Sequence, residues 1–170
     1  MKTLFEGKHV LVLERDGWQY VERRSGKEAV AVLAETEDGN VILIEQLRKP
    51  LDARVIDFPA GLVGDEGGVS DPAETARKEL EEETGYTCTS VELLVRGPSS
   101  PGITSEIVSL YRAHGIRKQG EGGGVEGEDI TVHVVPRGEL RDWLRQKERQ
   151  GVLIDLKVGL ALGLGLGISS

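Results

Sequence analysis

Short blocks of hydrophobic residues, separated by turns that carry glycine or aspartate, run through most of the chain. Blocks of this length, rich in valine, isoleucine and leucine, are typical of β-strands. The dipeptides Asp16-Gly17 and Asp38-Gly39 each lie between two such blocks, which predicts two β-hairpins. The predicted strands are residues 9–13, 18–23, 28–36, 40–46, 55–58, 91–95, 106–114 and 130–135.

Three segments have a helical pattern instead. Residues 72–84 follow Asp71, which is suited to capping a helix N-terminus, and end before Gly85, a common residue at a helix C-terminus. Residues 140–147 place apolar side chains on one side, and residues 158–168 are apolar, which favours a terminal core helix. Strands interspersed with helices predict an α/β domain whose sheet is covered by helices.

The first predicted helix carries three glutamates on one face. Glu79, Glu82 and Glu83 are spaced i, i+3 and i+4, so their carboxylates converge on one side of the helix. A hard cation such as Mg²⁺ would relieve the resulting repulsion, because it prefers carboxylate and carbonyl oxygens and often bridges substrate phosphates. A solvated acidic helix is the plainer interpretation, and the neighbouring sequence decides between the two.

Composition and charge fit one acidic domain. The chain has 170 residues and a formal net charge of −8, which disfavours nucleic acid as a partner because phosphate backbones need basic patches. Cys88 is the only cysteine, so an internal disulfide is excluded and a cytoplasmic location is expected. The N-terminus lacks a secretory-signal pattern, and residues 158–168 are fewer than the roughly twenty that a bilayer requires, so no membrane partner is expected.

The residues around the three glutamates resemble the Nudix box. Residues 78–86 read K-E-L-E-E-E-T-G-Y, similar to the second half of that box, R-E-U-x-E-E-x-G-U with U apolar. Pro59-Ala60-Gly61 precedes the helix as it does in the family. The chain is therefore identified as similar to the Nudix hydrolases, and within them to the pyrophosphatases of ADP-ribose and other nucleoside diphosphate sugars.

This resemblance implies the fold and a metal site. The fold would be an α/β/α sandwich with a mixed sheet over residues 28–170, preceded by a small antiparallel β subdomain over residues 1–27. The cofactor would be Mg²⁺, with Mn²⁺ as a possible substitute. The implied metal ligands are Glu79, Glu82, Glu83 and the main-chain carbonyl of Ala60.

Two features depart from the family pattern. Lys78 stands where the box has arginine, and lysine keeps the positive charge without the planar fork of donors. The loop after Gly61 is three residues longer than in the family, so the early loop glutamate of the box has no clean counterpart. Glu66 is the nearest acid in that loop, and we assign it no role.

Two further segments resemble the nucleoside-diphosphate-sugar pyrophosphatases. Arg48 ends a strand that is similar to one whose arginine contacts the substrate phosphates in those enzymes, and a guanidinium can donate bidentately to phosphate oxygens. Residues 99–106 resemble a loop over the sugar, which implies substrate contacts by Pro101, Gly102 and Glu106. The plainer alternatives are a surface arginine and an ordinary Pro-Gly turn.

A third segment, residues 122–135, resembles the mobile acidic loop and following strand of the ADP-ribose and GDP-mannose hydrolases. In those relatives a loop glutamate acts as general base or holds a further metal, and Glu126 and Glu128 are the matching candidates. The implied catalytic residues are thus Glu82, Glu126 and Glu128. The sequence leaves open which loop glutamate is the base.

The implied reaction is the Mg²⁺-dependent hydrolysis of a nucleoside diphosphate sugar, with ADP-ribose, split into AMP and ribose 5-phosphate, as the first candidate. GDP-mannose or a broad range of such sugars is the alternative. Nucleoside triphosphates or dinucleoside polyphosphates are a further possibility within the enzyme class. A catalytically silent nucleotide-binding sensor is the alternative of another class.

The N-terminal hairpin carries the candidates for base recognition. In the relatives this region crosses to the partner subunit of a homodimer, so the resemblance implies a homodimer with a shared base site. Trp18 or Tyr20 could stack on a nucleobase, and we name Trp18 as the substrate-binding candidate. Ordinary packing at an interface is the alternative role for both aromatic side chains.

Overall fold

The computed structural model describes residues 1–26, 28–64, 71–124 and 128–163, which form a mixed α/β fold. The strands are β1 Lys2–Glu6, β2 Val10–Arg15, β3 Trp18–Arg23, β4 Glu28–Glu35, β5 Asn40–Arg48, β6 Ala53–Asp57, β7 Ala60–Leu62, β8 Tyr86–Thr87, β9 Ser90–Pro98, β10 Ile107–His114, β11 Arg117–Lys118, β12 Ile130–Pro136 and β13 Leu153–Ile154. The helices are α1 Pro72–Thr84, α2 Leu140–Arg149 and α3 Leu156–Gly163.

The N-terminal strands β1, β2 and β3 form an antiparallel sheet of their own. Arg15 pairs with Trp18 across a tight turn in which Asp16 has φ 51° and Gly17 has φ 84°. Two left-handed residues in succession make the turn type whose twist matches a hairpin, and this confirms the predicted Asp-Gly turn. Strand β1 was not predicted, because all its residues are exposed and leave no hydrophobic alternation to detect.

The main sheet contains eight strands in the described part of the chain, in the order β13-β6-β5-β4-β10-β9, with β12 beside β5 and β7 beside β4. Strands β4 and β10 are parallel, as are β6 and β13, while the other pairs are antiparallel. The sheet is therefore mixed, as the sequence predicts. Strand β7 pairs Ala60 with Ala31 and Gly61 with Val30, which fixes the start of the Nudix-like segment against the centre of the sheet.

Helices cover both faces of this sheet, and β4 shows how the sequence directs them. Its residues Ala31 and Leu33 belong to a core cluster with side chains of α2 and α3, whereas its residues Val30 and Val32 pack in a second cluster with α1. Successive strand residues point to opposite faces, so a strand that is hydrophobic at every position must be covered on both sides. The predicted α/β/α sandwich is confirmed.

Helix α1 begins and ends where its sequence predicts. The Asp71 carboxylate accepts a hydrogen bond of 2.9 Å from the Ala73 N–H, which satisfies one of the free donors at the helix N-terminus. Gly85 adopts φ 73° and its N–H donates to the Glu81 carbonyl, which closes the last turn. Leu80 and Ala76 are fully buried against the sheet, so the opposite side of the helix remains available to carry the glutamates.

The N-terminal sheet is attached to the loop that precedes β10. The Val21 N–H donates to the Ile103 carbonyl at 2.8 Å, and the Ser105 N–H donates to the Val21 carbonyl at 3.2 Å. This loop thus continues the sheet from the edge of β3, although the predicted division of the chain at residues 27 and 28 stays a prediction. No helix in the described residues is long and apolar enough to cross a membrane.

Several predicted boundaries were wrong by a few residues. Strand β5 extends to Arg48 and β9 to Pro98, beyond the predicted ends at residues 46 and 95. The terminal helix α3 begins at Leu156, two residues before the predicted start, because Asp155 supplies its N-terminal cap. The predicted continuation of this helix beyond Gly163 lies outside the described residues.

Candidate active site

A cavity of about 690 Å³ gathers most of the residues that the sequence singles out. Charged side chains line two sides of it. The α1 side contributes Lys78, Glu79, Glu82 and Glu83, while the side built from β5, β6 and the start of α3 contributes Arg48, Asp57, Asp155 and Lys157. Arg23, Thr75, Ser99, Glu106 and Glu128 complete the polar side chains of the lining, and Ala60 lines it with its backbone. A cavity with clustered carboxylates on one side and two cations on another suits an anionic ligand that binds together with a metal.

Two backbone features hold the α1 glutamates against strand β7. The Ala60 N–H donates a 2.8 Å hydrogen bond to the Glu83 carboxylate. The Glu79 carboxylate lies directly over Gly61, where an added Cβ would collide with it. Glycine at position 61 therefore makes room for this side chain, and a larger residue would displace the Glu79 carboxylate.

The pKa of Glu83 is strongly raised. Burial is the main cause, since removal from water disfavours the charged form, and the nearby carboxylates of Glu79 and Glu128 act in the same direction. The Ala60 N–H and the Arg48 guanidinium oppose this effect, but the pKa of Glu83 is still raised to about 8. A cation at this position would favour the ionised carboxylate and relieve the repulsion.

The remaining acidic residues of the cavity are placed as follows. Glu82 lies 3.5 Å from the Lys78 ammonium in an i, i+4 ion pair, so the lysine that replaces the family arginine contacts one of the three glutamates. Glu128 reaches the cavity from the start of the segment that leads into β12, and its side chain packs over Gly124, which has φ 79°. Glu126, the other predicted loop glutamate, lies outside the described residues.

The donor set fits a hard divalent cation in kind. Three glutamates and Glu128 line one cavity, and they offer the oxygen ligands that Mg²⁺ takes. In the described residues, however, no three Asp, Glu, His or Cys side chains are already grouped closely enough to hold a metal ion. The carboxylates would have to turn towards one another to do so.

On the other side of the cavity, a buried aspartate stands between two cations. Asp57 is 1% exposed and lies 3.0 Å from the Lys157 ammonium and 3.7 Å from the Arg48 guanidinium. Burial raises the pKa of Asp57 to about 6, against the opposing effect of Lys157. Lys157 also lies 2.8 Å from Asp155, and although burial lowers its pKa, the two aspartates raise it overall.

Not all predicted substrate residues meet in this cavity. Glu106 lines it and is held by a 2.7 Å ion pair with Arg23 and a 3.2 Å hydrogen bond from the Ser99 hydroxyl. Pro101, Gly102 and Trp18 do not line it. Both loop residues are exposed at the junction with the N-terminal sheet, and Trp18 is exposed beside the hairpin turn. The roles of all three residues in substrate binding stay predictions, and that of Trp18 depends on a second copy of the chain.

Four charged residues of the cavity were not predicted from the sequence: Arg23, Asp57, Asp155 and Lys157. For two of them the sequence contains a pattern that could have identified them. Asp57 is an acid at the end of a hydrophobic strand, and Lys157 is the only charged residue in the apolar stretch from 156 to 170. Isolated charges in apolar segments are rarely left unpaired. Arg23 gave no such signal, because it ends a strand with mixed polarity.

A second cluster of buried charge lies away from the cavity and was also missed. Glu45 is 7% exposed and accepts hydrogen bonds from Arg54 at 2.6 Å, Lys147 at 2.7 Å and His133 at 2.9 Å. Although burial alone would raise it, these three partners lower the pKa of Glu45 to about 2. Arg54 also forms an ion pair with Asp129 at 2.8 Å. The residues that contact Glu45 lie on β6, β12 and α2, so the cluster joins these elements to β5. It ties the layers of the fold together and is not part of the cavity lining.

Comparison with known proteins gives three kinds of match. The profile of the NUDIX domain matches residues 26–155. The chain is 43% identical over 120 residues to the methanol dehydrogenase activator of Bacillus methanolicus, over 70% of this chain and 63% of that protein. It is 45% identical over 85 residues to the ADP-ribose pyrophosphatase of Bacillus subtilis, over 50% of this chain and 44% of that protein.

A third relative and a solved structure cover more of their own length. The GDP-mannose pyrophosphatase of Cronobacter sakazakii is 35% identical over 145 residues, over 81% of this chain and 72% of that protein. The crystal structure of an ADP compounds hydrolase superposes with a TM-score of 0.63 at 22% identity, over 85% of this chain and 80% of that one. The matches to the first two relatives span less than two thirds of their length.

Proposed function

The chain belongs to the Nudix family, and we propose that it hydrolyses the diphosphate bond of nucleoside diphosphate sugars, with ADP-ribose as the preferred substrate. One observation carries this proposal. Glu79, Glu82 and Glu83 share a cavity of about 690 Å³ with Arg48 and Lys157, so ligands for a divalent cation and donors for phosphate oxygens face the same space. A diphosphate bound with a cation requires both.

The residues that would hold Mg²⁺ are Glu79, Glu82, Glu83 and the main-chain carbonyl of Ala60. Bound there, the metal would neutralise the diphosphate oxygens and make the phosphorus more electrophilic. The chain itself orients two of these glutamates, since Ala60 donates to Glu83 and Gly61 gives Glu79 room to lie against β7. Mn²⁺ should serve in place of Mg²⁺ because it takes the same oxygen ligands.

The proposed reaction is the attack of water on one phosphorus of the diphosphate. The bond from that phosphorus to the bridging oxygen breaks, which yields a nucleoside monophosphate and a sugar phosphate. The proton of the attacking water passes to a loop carboxylate. Glu128 supports this role by lining the cavity close enough to Glu83 to raise its pKa, whereas Glu126 is the alternative base from the sequence. Arg48 would donate to the phosphate oxygens.

The preference for ADP-ribose rests on the resemblances and on the names of relatives. The Bacillus subtilis relative is named for ADP-ribose and the Cronobacter sakazakii relative for GDP-mannose. The segment with Pro101 and Gly102 favours the ADP-ribose group, while the glycine-rich lead-in to residue 126 resembles the GDP-mannose hydrolases. GDP-mannose is therefore the second substrate to test.

We also propose that the protein acts as a homodimer through its N-terminal sheet. Every residue of β1 is exposed, and the apolar side chains of Phe5 and Trp18 are exposed on the same sheet. Pairing with a second copy would cover these side chains and could bring Trp18 to the partner's cavity. Sedimentation of the purified protein tests this, and a monomer at micromolar concentration would rule it out. The cytoplasmic location stays a prediction.

A substrate panel tests the proposed function directly. Purified protein with Mg²⁺ is incubated with ADP-ribose, GDP-mannose, ATP and diadenosine polyphosphates, and the products are separated by anion-exchange chromatography. We expect AMP and ribose 5-phosphate from ADP-ribose, with no turnover after chelation of the metal. A preference for ATP or the polyphosphates would overturn the proposal. Binding of ADP-ribose by calorimetry without any turnover would favour the silent sensor domain instead.

A further inference from the structure

Lys157 lies in the proposed catalytic cavity although it stands outside the residues that the family profile matches, which end at 155. It enters from the first turn of α3. Its side chain is 24% exposed, and it is the one cation that this helix and the apolar stretch after it contribute in the sequence. A single lysine in such a segment needs a reason, because the transfer of an ammonium out of water is costly.

The position of Lys157 is fixed from both directions along the chain. The Asp155 N–H donates to the Ile56 carbonyl at 2.9 Å, which binds the start of α3 to strand β6. The Asp155 carboxylate accepts from the Lys157 N–H at 2.8 Å and caps the helix. Val158 and Ala161 then anchor α3 in the core. The ammonium is therefore placed in the cavity by rigid elements rather than by a surface side chain that happens to reach it.

The donors of this group are not fully used. An ammonium has three N–H donors, and within the described residues Asp57 and Asp155 account for two of them. The Arg48 guanidinium, on the other side of Asp57, lies 3.7 Å from the Asp57 carboxylate but makes no hydrogen bond to any of the described residues. Asp57 is 1% exposed, whereas the side chains of Lys157 and Arg48 are 24% and 41% exposed, so the two cations are more accessible to an anion than the carboxylate that pairs with them.

We propose that Lys157 is a substrate-binding residue, which together with Arg48 donates to phosphate oxygens of the diphosphate on the side of the cavity away from the α1 glutamates. This inference rests on the proposed function. Asp57 acts as a positioning residue: it holds the two cations side by side at a spacing set by one buried carboxylate. The substrate recognised in this way is any nucleoside diphosphate sugar, since the contact is made to the diphosphate and not to the base.

A purely structural ion pair is the competing explanation, and the chain contains a matched example of one. Lys147 is 18% exposed and pairs at 2.7 Å with the buried Glu45, much as Lys157 pairs with the buried Asp57. Lys147 does not line the cavity. If both lysines serve only stability, their removal should have the same kinetic consequences.

The experiment compares paired variants that leave no buried carboxylate unpaired. Lys157→Met with Asp57→Asn removes the cation and its partner together, and Lys147→Met with Glu45→Gln does the same in the structural cluster. KM and kcat are measured for ADP-ribose with Mg²⁺, and the affinity for its non-hydrolysable α,β-methylene analogue is measured by calorimetry. We expect KM and Kd to rise at least tenfold in the first pair, with kcat within about threefold, and neither to change in the second.

Lys157→Arg, which keeps a cation and its donors, should restore KM to within about threefold of the wild type. Values of KM and Kd within twofold of the wild type in the Lys157→Met and Asp57→Asn pair would overturn the inference. Should that pair fail to fold, Lys157→Gln is measured in its place against the same thresholds. If the wild type turns over none of the substrates in the panel, the proposed function fails instead, and the two failures are thereby distinguished.

Discussion

Glu83 and Glu45 are buried to a similar extent, with 5% and 7% of their surfaces exposed, yet their pKa values shift in opposite directions. The pKa of Glu83 is raised to about 8 and that of Glu45 is lowered to about 2. Both side chains belong to the same domain and have the same intrinsic acidity. The difference comes from the deeper burial of the Glu83 carboxylate and from the neighbours of each side chain.

The neighbours of Glu45 stabilise its negative charge within the protein. Arg54, Lys147 and His133 all donate to its carboxylate, so its desolvation is compensated by the fold itself. Glu83 receives one main-chain N–H from Ala60 and the favourable charge of Arg48, but it also faces the carboxylates of Glu79 and Glu128. These partners do not offset its burial, so its pKa stays raised, and a strongly perturbed acid in a cavity is typical of a binding site rather than of a structural ion pair.

The largest expected effect comes from removing the carboxylate that the fold leaves uncompensated. Glu83→Gln should lower kcat/KM for ADP-ribose by about a thousandfold, equivalent to about 4 kcal/mol, because a proposed metal ligand is lost. Stability should stay constant or rise near neutral pH, since folding of the variant no longer requires the protonation that burial imposes on Glu83. Steady-state kinetics and thermal unfolding measure the two effects. Glu81→Gln, an exposed neighbour on α1, is the control and should change neither.

Equal activity of the Glu83 variant and the wild type across all diphosphate sugars would show that Glu83 is not a metal ligand. A large loss of stability in the same variant would contradict the comparison itself. In that case Glu83 would be compensated in the fold as Glu45 is.

The corresponding change at Glu45 should have the opposite profile. Glu45→Gln leaves Arg54, Lys147 and His133 without their common partner, and breaking a buried ion pair costs about 3 kcal/mol. The kcat and KM of the folded variant should be unchanged. Urea unfolding followed by circular dichroism measures the loss. Glu92→Gln, which removes an exposed partner of His114, is the control and should cost less than about 1 kcal/mol.

The pH dependence of stability at low pH provides a second test with Glu45→Gln. Because the pKa of Glu45 is lowered in the folded state, its contribution to stability is complete above its ordinary value near 4.5 and is lost as the pH falls towards about 2. The stability of the wild type should therefore decline more steeply than that of Glu45→Gln over this range. Parallel declines would show that the three partners do not stabilise the ionised form.

The sequence predicts the α1 side of the cavity far better than the side that carries Arg48 and Lys157. The spacing of Glu79, Glu82 and Glu83 follows from helix geometry, and the caps at Asp71 and Gly85 fix where the helix lies. These are local relations, which one sequence displays directly.

Asp57, Lys157 and the Glu45 cluster could not be predicted in the same way. Asp57 and Lys157 lie a hundred positions apart in the chain and meet because β13 pairs with β6. Glu45 and Lys147 are similarly distant and meet where α2 packs on the sheet. An isolated charged residue in an apolar segment indicates that it pairs with another residue, but only the tertiary structure identifies that partner.

A substitution at Gly61 tests whether the backbone of β7 positions the glutamates of the cavity. A Cβ at this position would collide with the Glu79 carboxylate, so Gly61→Ala should displace that side chain and lower kcat/KM about a hundredfold. Its backbone angles do not require glycine, so thermal stability should change little. Gly138→Ala, where an added Cβ meets nothing, is the control. Full activity of Gly61→Ala would mean that Glu79 can serve from another position.

The smallest expected effect is the dependence of metal affinity on pH, and it separates the two glutamates most cleanly. The metal binds the ionised form of Glu83, whose pKa is raised to about 8, so the cation must displace a proton at lower pH. Between about pH 8 and pH 6 the affinity for Mg²⁺ should fall about tenfold for each pH unit, or about 1.4 kcal/mol.

Calorimetry in buffers with different ionisation enthalpies should detect release of about one proton near pH 6.5 and almost none near pH 9. The same shift has a consequence for the metal-free protein. Since its folded state holds a proton that the unfolded state releases near 4.5, its stability should decline as the pH rises from about 5 to 8, opposite in sign to the effect of Glu45. Glu83→Gln should remove both the proton release and this decline. A metal affinity that is constant between pH 6 and 8 would mean that Glu83 is already ionised, and that its neighbours compensate it as Arg54, Lys147 and His133 compensate Glu45.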